Sequence, residues 1–330
     1  MSIPPIIVAT ARRGWRCQWN VLMSGLGPAD KDGDYKRPKS KYEYAVLPSL
    51  EELLQRDKND LPFLIVGKSC PWAHRTWLVY KIRKLNKLIN LIFATSDKKG
   101  GRWIIEPSFL DCSSLKDLYK LCQASDVARA TVPLLIDPLN SELSSPRILG
   151  NESSQLIIAL NKIESRDSEI DLVPEDLRGE IQTWQNLLQE DVNNGVYKCG
   201  FARNQKSYEA ASQKLFSTLT KVEKSLENKG PWLCGEIITL ADIQLFPTLI
   251  RWEIVYMQLF KCCERPLWSF PNIWEWRQKF LKIEGVSETC NPSNWRNDYF
   301  GALFPLNPSN IIPKGPDLMT LVNAKPPKIR

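Results

Sequence analysis

The stretch Leu61-Pro-Phe-Leu-Ile-Val66-Gly67-Lys-Ser-Cys70-Pro71-Trp-Ala73-His-Arg75-Thr76 decides how this chain folds. Leu61 to Val66 is short, apolar and β-branched, the composition of a buried strand. Gly67 to Pro71 breaks it, and a helix is expected from about Trp72 to Asn86, with Leu78, Ile82 and Leu85 spaced at i, i+4 and i+7. A second apolar strand is expected over Leu88 to Ala94.

Downstream, Ser96 to Pro107 reads as a polar loop. A helix follows from Ser114, with Asp117 completing a capping box. Thr131 to Asp137 reads as a third strand and Arg147 to Leu149 as a short fourth, before a helix opened by Asn151-Glu152-Ser153 and running to about Ile163. The order β-α-β, α, β-β-α is that of a small thioredoxin-like sheet over residues 61–165. Residues 1–60 are rich in Gly, Pro, Lys and Asp and read as an irregular N-terminal arm, helical only around Leu50 to Gln55. After the polar linker Glu164 to Pro174, the chain to residue 330 reads as all helix with an extended Pro-rich tail. Helices are expected over about Glu175–Gly195, Tyr208–Glu227, Thr239–Gln258 (with Pro247 inside and a Thr239/Asp242 capping box) and Pro271–Ile283. The fold class is therefore an α/β N-terminal thioredoxin-like domain followed by an all-α C-terminal domain.

Composition narrows the function. The chain has 330 residues, nine cysteines and one histidine, enough for about two domains. No two cysteines stand in a C-x2-C or C-x4-C pair, so zinc fingers, a dithiol redox motif and a metal site are not supported. An odd, scattered set of thiols reads as reduced, which places the protein in the cytoplasm. No run approaches the ~18 apolar residues of a membrane span. The apolar patch in Met1 to Thr10 precedes Arg12 and Arg13, the reverse of a secretory signal. Net charge is +7, but the basic run Lys81, Arg83, Lys84, Lys87 alternates with Ile82, Leu85 and Leu88 as the solvated face of a helix. Neither nucleic acid nor membrane is expected as a partner.

Cys70 stands apart from the other thiols. It follows a buried strand directly, with Pro71 preorganised at the first helical position. A thiol there meets the positive end of a helix and its unpaired N–H groups, so its pKa is expected to be lowered, with Lys68 and Arg75 adding positive potential. Val132-Pro133 would begin the strand opposite, with a cis bond that leaves the Val132 backbone available to a peptide-like ligand. The second thiol of a dithiol motif would sit at position 73, which is Ala73. An external thiol must then resolve any mixed disulfide, which points to glutathione. The helix start at Glu152-Ser153 suits a carboxylate through its N–H groups and hydroxyl and an ammonium through Glu152; simple N-capping by Asn151 or Ser153 accounts for it equally. His74 is expected to be a polar group near the helix start, not a base.

The motif Cys70-Pro-Trp-Ala-His-Arg-Thr76 resembles the active-site segment of the Xi class of glutathione transferases, the S-glutathionyl-hydroquinone reductases. Gly33-x-Tyr35-x-Arg37-x-x-Ser40-x-Tyr42, Arg129-Ala-Thr-Val-Pro133, Asn151-Glu-Ser-Ser-Gln155, Asn194-Gly-Val-Tyr197, Thr239-Leu-Ala-Asp-Ile243 and Ile312-Pro-Lys-Gly-Pro316 extend the resemblance over most of the chain. It implies the glutathione transferase fold, glutathione as co-substrate, aromatic glutathionyl-quinols as substrates and a homodimer. It implies Cys70 as nucleophile and Trp103 packing on glutathione. Val132 and Pro133 would give backbone pairing, Glu152 and Ser153 would hold the γ-glutamyl end, and Arg129 would take a carboxylate. Tyr197 and Tyr299 would line the aromatic substrate site; packing between helices accounts for them without the resemblance. Where the family usually carries His and a Ser-His pair around the second tyrosine, this chain has Asp298, Ala302 and Leu303. A broader thiol transferase or dehydroascorbate reductase, and a glutathione-binding module without turnover, are the alternative readings.

Overall fold

The computed structural model describes residues 3–38, 40–42, 47–97, 102–124, 130–139, 145–165 and 167–325. It corrects the reading of the N-terminal arm at once: Pro5–Leu26 is a 22-residue helix, α1, entered through Pro5 at its first turn. The Gly and Pro residues that suggested irregular chain cluster after Gly25, beyond the point where α1 ends. A short helix α2 (Leu50–Gln55), capped by Ser49, closes the arm.

Leu64, Ile65 and Val66 are fully buried because β1 (Phe63–Gly67) lies inside a six-stranded sheet. Helix α3 (Pro71–Ile82) carries the chain to β2 (Asn90–Ser96), which pairs parallel to β1 with Phe63 opposite Asn90. The segment Ser96 to Pro107, read as a polar loop, instead holds most of β3 (Trp103–Phe109), antiparallel to β2, and β4 (Cys112–Ser114) follows it. Glu106, Pro107 and Ser108 are exposed, so β3 is an outer strand with little apolar alternation to betray it. Helix α4 (Leu115–Leu121) is capped by Ser114. Then β5 (Leu134–Asp137) runs antiparallel to β1 and is followed by β6 (Arg147–Gly150) and α5 (Ser153–Asn161). The sheet order is β4-β3-β2-β1-β5-β6, a thioredoxin-like set β2-β1-β5-β6 widened by a hairpin, with α3 and α5 packed together against it.

The rest is helical: α6 (Arg178–Leu188), α7 (Gly195–Phe201), α8 (Gln205–Lys229), α9 (Leu240–Leu249), a turn α10 (Met257–Leu259), α11 (Pro271–Leu281), α12 (Pro292–Ala302) and α13 (Leu318–Asn323). Two of the expected helices, Glu175–Gly195 and Thr239–Gln258, are interrupted by wide turns at Gln189–Asn193 and Trp252–Tyr256. The Thr239/Asp242 capping box forms. Asp242 is fully buried and also accepts from Leu233 N at 3.0 Å and Trp276 Nε1 at 2.9 Å. No helix among the described residues is long and apolar enough to cross a membrane.

The sheet unit and the helices meet along α3, which packs against α9. His74, on α3, is buried there. Its Nδ1 lies 2.9 Å from Arg251 Nη1 and its Nε2 lies 2.7 Å from Thr289 Oγ1. A guanidinium can only donate, so Nδ1 accepts and Nε2–H donates to Thr289, whose hydroxyl donates to Val286 O at 2.6 Å. Burial and then the Arg251 charge hold the imidazole well below 6.5, so it is neutral at pH 7. Because the unfolded chain takes up this proton near 6.5 and the folded chain does not, stability is complete above that value and falls as pH drops through it. The chain has one histidine, so no other imidazole contributes to it. Thermal melts from pH 7 to about 5.5 should lose stability at up to about 1.4 kcal/mol per pH unit. His74→Gln should be destabilised by roughly 1–3 kcal/mol at pH 7 and flat over that range; an equal slope in the variant would refute the assignment.

Candidate active site

Pro71 starts α3 and leaves Cys70 as its N-cap, where Sγ accepts from Ala73 N at 3.5 Å. The Val132–Pro133 bond is cis as expected, and Val132 O lies 3.6 Å from Cys70 Sγ. Gly67, at the end of β1, is what lets the wall close: a Cβ there would stand 2.5 Å from Trp103 and 2.8 Å from Val132. No side chain fits between β1 and these two residues.

Cys70 opens onto two cavities. One, of about 310 Å³, is lined by Cys70, Trp103, Val132, Asn151 and Glu152, with Tyr35, Arg37, Lys41 and Tyr42 from the arm and Trp72 from α3. The other, of about 270 Å³, is lined by Cys70, Trp72, Trp103, Tyr197, Tyr299, Ala302, Leu303 and Leu26. The first is rich in polar and charged groups, the second in aromatic and aliphatic ones. Cys70, Trp72 and Trp103 border both.

The remaining expected residues divide. Glu152 lines the first cavity and caps α5 by accepting from Ser154 N at 3.3 Å. Ser153 and Pro133 are buried behind that wall. The Ser153 hydroxyl is 3.4 Å from Arg75 Nη1, which also reaches Gln189 Oε1 at 3.0 Å. Arg129 lies outside the described residues. Asp298 accepts from the Ser69 hydroxyl, and Ala302 and Leu303 face the apolar cavity.

The tyrosines form a group of three. Tyr197 Oη is 2.7 Å from Tyr299 Oη, which is 3.3 Å from Tyr256 Oη. Burial pushes all three phenols up from their ordinary value, so each is a protonated donor at neutral pH. Tyr256, in the wide turn after α9, gave no signal of its own in a stretch read as continuous helix. Arg37 and Trp72 also went unassigned, although both stand in quoted motifs. The Arg37 guanidinium lies 3.5 Å from the Trp72 ring centroid and that of Arg75 4.5 Å from it, and Arg37 Nη1 is buried without a hydrogen-bond partner.

The expectation of a lowered Cys70 pKa is corrected. Burial raises it above the ordinary 9.0, while the N–H groups of Ala73 and Trp72 and the charges of Arg37 and Arg251 pull it back only in part. The helix start is present, but the protein mass around the thiol outweighs it. Among the described residues no group of three His, Cys, Asp or Glu side chains is placed to hold a metal, and none of the nine cysteines is in a disulfide.

Comparison with known proteins agrees with this architecture. Residues 205–279 match the family of glutathione S-transferase C-terminal domains. The glutathionyl-hydroquinone reductase PcpF of Sphingobium chlorophenolicum is 33% identical over 262 residues, covering 77% of this chain and 82% of that protein. The glutathionyl-hydroquinone reductase YqjG of Escherichia coli K12 is 31% identical over 269 residues, 78% of this chain and 80% of its own. The crystal structure of the Xi glutathione transferase from Phanerochaete chrysosporium superposes with a TM-score of 0.76 at 32% identity, covering 87% of this chain and 94% of that one. The glutathione-bound structure of YqjG gives a TM-score of 0.71 over 78% of this chain and 86% of its own. With relatives of this similarity along most of its length, the chain belongs to the glutathionyl-hydroquinone reductases, the Xi class of glutathione transferases.

Proposed function

We propose that the protein reduces glutathionyl-hydroquinones to hydroquinones with glutathione, through a mixed disulfide on Cys70. The single observation that carries this reading is that Cys70 borders a polar cavity and an aromatic one at once, with Ala73 where a resolving thiol would stand. Residues 61–165 then act as the glutathione-binding domain, residues 172–330 as the helical domain that supplies the tyrosines, and residues 1–60 as an arm over the site. The setting we assign is the cytoplasm, and the assembly a homodimer.

The glutathionyl part of the substrate lies in the polar cavity against Trp103. The Val132 backbone pairs with its peptide, Glu152 meets the ammonium, and Arg37 and Lys41 face its carboxylates. The quinol ring lies in the apolar cavity beside Tyr197 and Tyr299. The Cys70 thiolate attacks the glutathionyl sulfur; the sulfur–carbon bond breaks, and the ring carbon takes a proton from one of the paired tyrosine hydroxyls. The hydroquinone departs, leaving Cys70–S–S–glutathione. A second glutathione gives its thiol proton to the tyrosinate left behind and, as thiolate, attacks the glutathione sulfur; the Cys70–sulfur bond breaks, releasing oxidised glutathione and restoring the Cys70 thiolate. Ala302 and Leu303 make the ring cavity apolar, which favours quinols with aliphatic or halogen substituents over strongly polar ones.

In a spectrophotometric assay with a glutathionyl-hydroquinone, Cys70→Ser should abolish turnover. Tyr197→Phe and Tyr299→Phe should each lower kcat by on the order of 10²-fold, with the Cys70 alkylation rate unchanged. Wild-type protein that binds glutathione but turns over no adduct would leave a binding module instead. Conjugation of glutathione to an electrophile should be negligible, because Cys70 captures glutathione as a disulfide.

The pH dependence is set by the buried thiol. Since the thiolate is the nucleophile and burial holds the thiol above 9.0, alkylation of Cys70 by iodoacetamide should still be rising at pH 9. Arg37→Gln removes a charge that favours the thiolate, so its profile should move further alkaline. A plateau below pH 8 in the wild type, or an acid shift in the variant, would overturn this account.

A further inference from the structure

Helix α1 is anchored to the protein body along its C-terminal half. Met23 is fully buried, and Gly27 lets the chain press onto Phe201, where a Cβ would stand 2.6 Å from the ring. Arg203 lies 5.5 Å over the Trp19 ring and donates to Gly27 O at 2.8 Å. From Ile3 to Gln18 every side chain is exposed. A 22-residue helix is about 33 Å long, so more than half of it extends beyond these anchors.

That free portion is patterned. At 100° per residue, Ile7, Val8, Ala11, Trp15 and Leu22 fall within about 100° of arc. Arg12 and Arg16 lie beyond one edge of this stripe, and Arg13, Cys17 and Asn20 stand on the far side. Ile6 and Val21 lie off the stripe. Trp15 meets Phe304 of the tail at 6.5 Å, which adds a second exposed aromatic ring to the patch. The stripe is the one that holds Trp19 and Leu26 to the body; toward the N-terminus, beyond the Trp15–Phe304 contact, its side chains are exposed.

The charge on α1 is of one sign. Arg12, Arg13 and Arg16 are its ionic residues, and the first acidic residue in the chain is Asp30. Exposed apolar side chains with aromatic rings, bordered by arginines and free of carboxylates, match the chemistry of an anionic bilayer surface: hydrocarbon for the stripe, phosphate for the guanidinium groups. A helix meant to cover another protein surface would gain from carboxylates for register, and α1 has none. We propose that α1 docks the protein on anionic lipid bilayers, lying in the headgroup plane without spanning it. Leu26, at its anchored end, lines the apolar cavity beside Cys70. The surface stands whether or not the proposed reaction does.

The test is co-sedimentation of the full-length purified protein with vesicles of phosphatidylcholine, alone or mixed with phosphatidylglycerol. The wild type should pellet with the mixed vesicles, stay in solution with phosphatidylcholine alone, and be released as salt is raised. Replacing Arg12, Arg13 and Arg16 together by Gln removes three charges, each worth roughly fivefold near the surface, and should weaken binding on the order of a hundredfold. Ile7→Ser with Val8→Ser and Trp15→Ser should abolish it. Both variants should keep the soluble thiol reaction and the wild-type melting temperature. Wild-type protein that ignores mixed vesicles, or a triple Gln variant that binds them equally, overturns the proposal. So does sedimentation velocity showing self-association lost only in the apolar variant, with no vesicle binding: the occupant would then be a second copy of α1.

Discussion

A neutral imidazole wedged between a buried guanidinium and a buried hydroxyl fixes the geometry on which the rest depends. His74 belongs to α3, the helix that Cys70 caps; Arg251 immediately precedes the wide turn that carries Tyr256, and Thr289 lies in the turn before α12, which carries Tyr299. The Arg251 guanidinium lies 4.1 Å over the Trp295 ring, and the Trp295 indole donates back to Lys68 O, two residues before Cys70, at 3.2 Å. The path from α3 through Arg251 and Trp295 to the Gly67–Cys70 loop is closed, so thiol and phenols are held in one frame although they lie more than a hundred residues apart. Burial makes this frame sensitive to the imidazole's charge, since a second cation beside Arg251 has no counter-ion to meet.

Within that frame the site works as a junction. Cys70 pairs with Val132 and Ala73 on the sheet side and faces Tyr197 and Tyr299 on the helical side. The arm supplies the missing wall: Asn151 N donates to Tyr42 O at 3.0 Å, and Tyr35 stacks on Tyr197 at 6.4 Å. Arg37 brings charge over Trp72 from a segment far from Cys70 in sequence. The cost of so enclosed a thiol is a raised pKa; nearby N–H groups and guanidinium groups offset it in part.

What could be read from sequence follows physical strength of signal. The β1–α3–β2 unit was legible because Leu61 to Val66 is apolar on both faces and Pro71 marks the helix start. The Thr239/Asp242 box was legible because capping is a local pattern of two residues. Helix α1 was missed because its apolar stripe is short, its charges few, and the Gly- and Pro-rich chain after it dominates the composition. Strand β3 was missed because an outer strand with Glu106, Pro107 and Ser108 exposed carries no alternation. Cys70 could be singled out from its corner, but not its acidity: helix-end stabilisation is local, whereas desolvation by Trp103, Val132 and the tyrosines is set only when the whole chain closes. Tyr256 and Arg37 likewise become site residues only through distance in space.

The N-cap role of Cys70 couples chemistry to helix stability. As a thiolate, its sulfur is a charged acceptor for the Ala73 N–H and for the positive end of α3. At neutral pH burial keeps that sulfur protonated, so it caps the first turn of α3 as a neutral and weak acceptor. The charge that would make the sulfur reactive is the same charge that would tighten the start of the helix carrying His74, so reactivity and helix-end stability rise together.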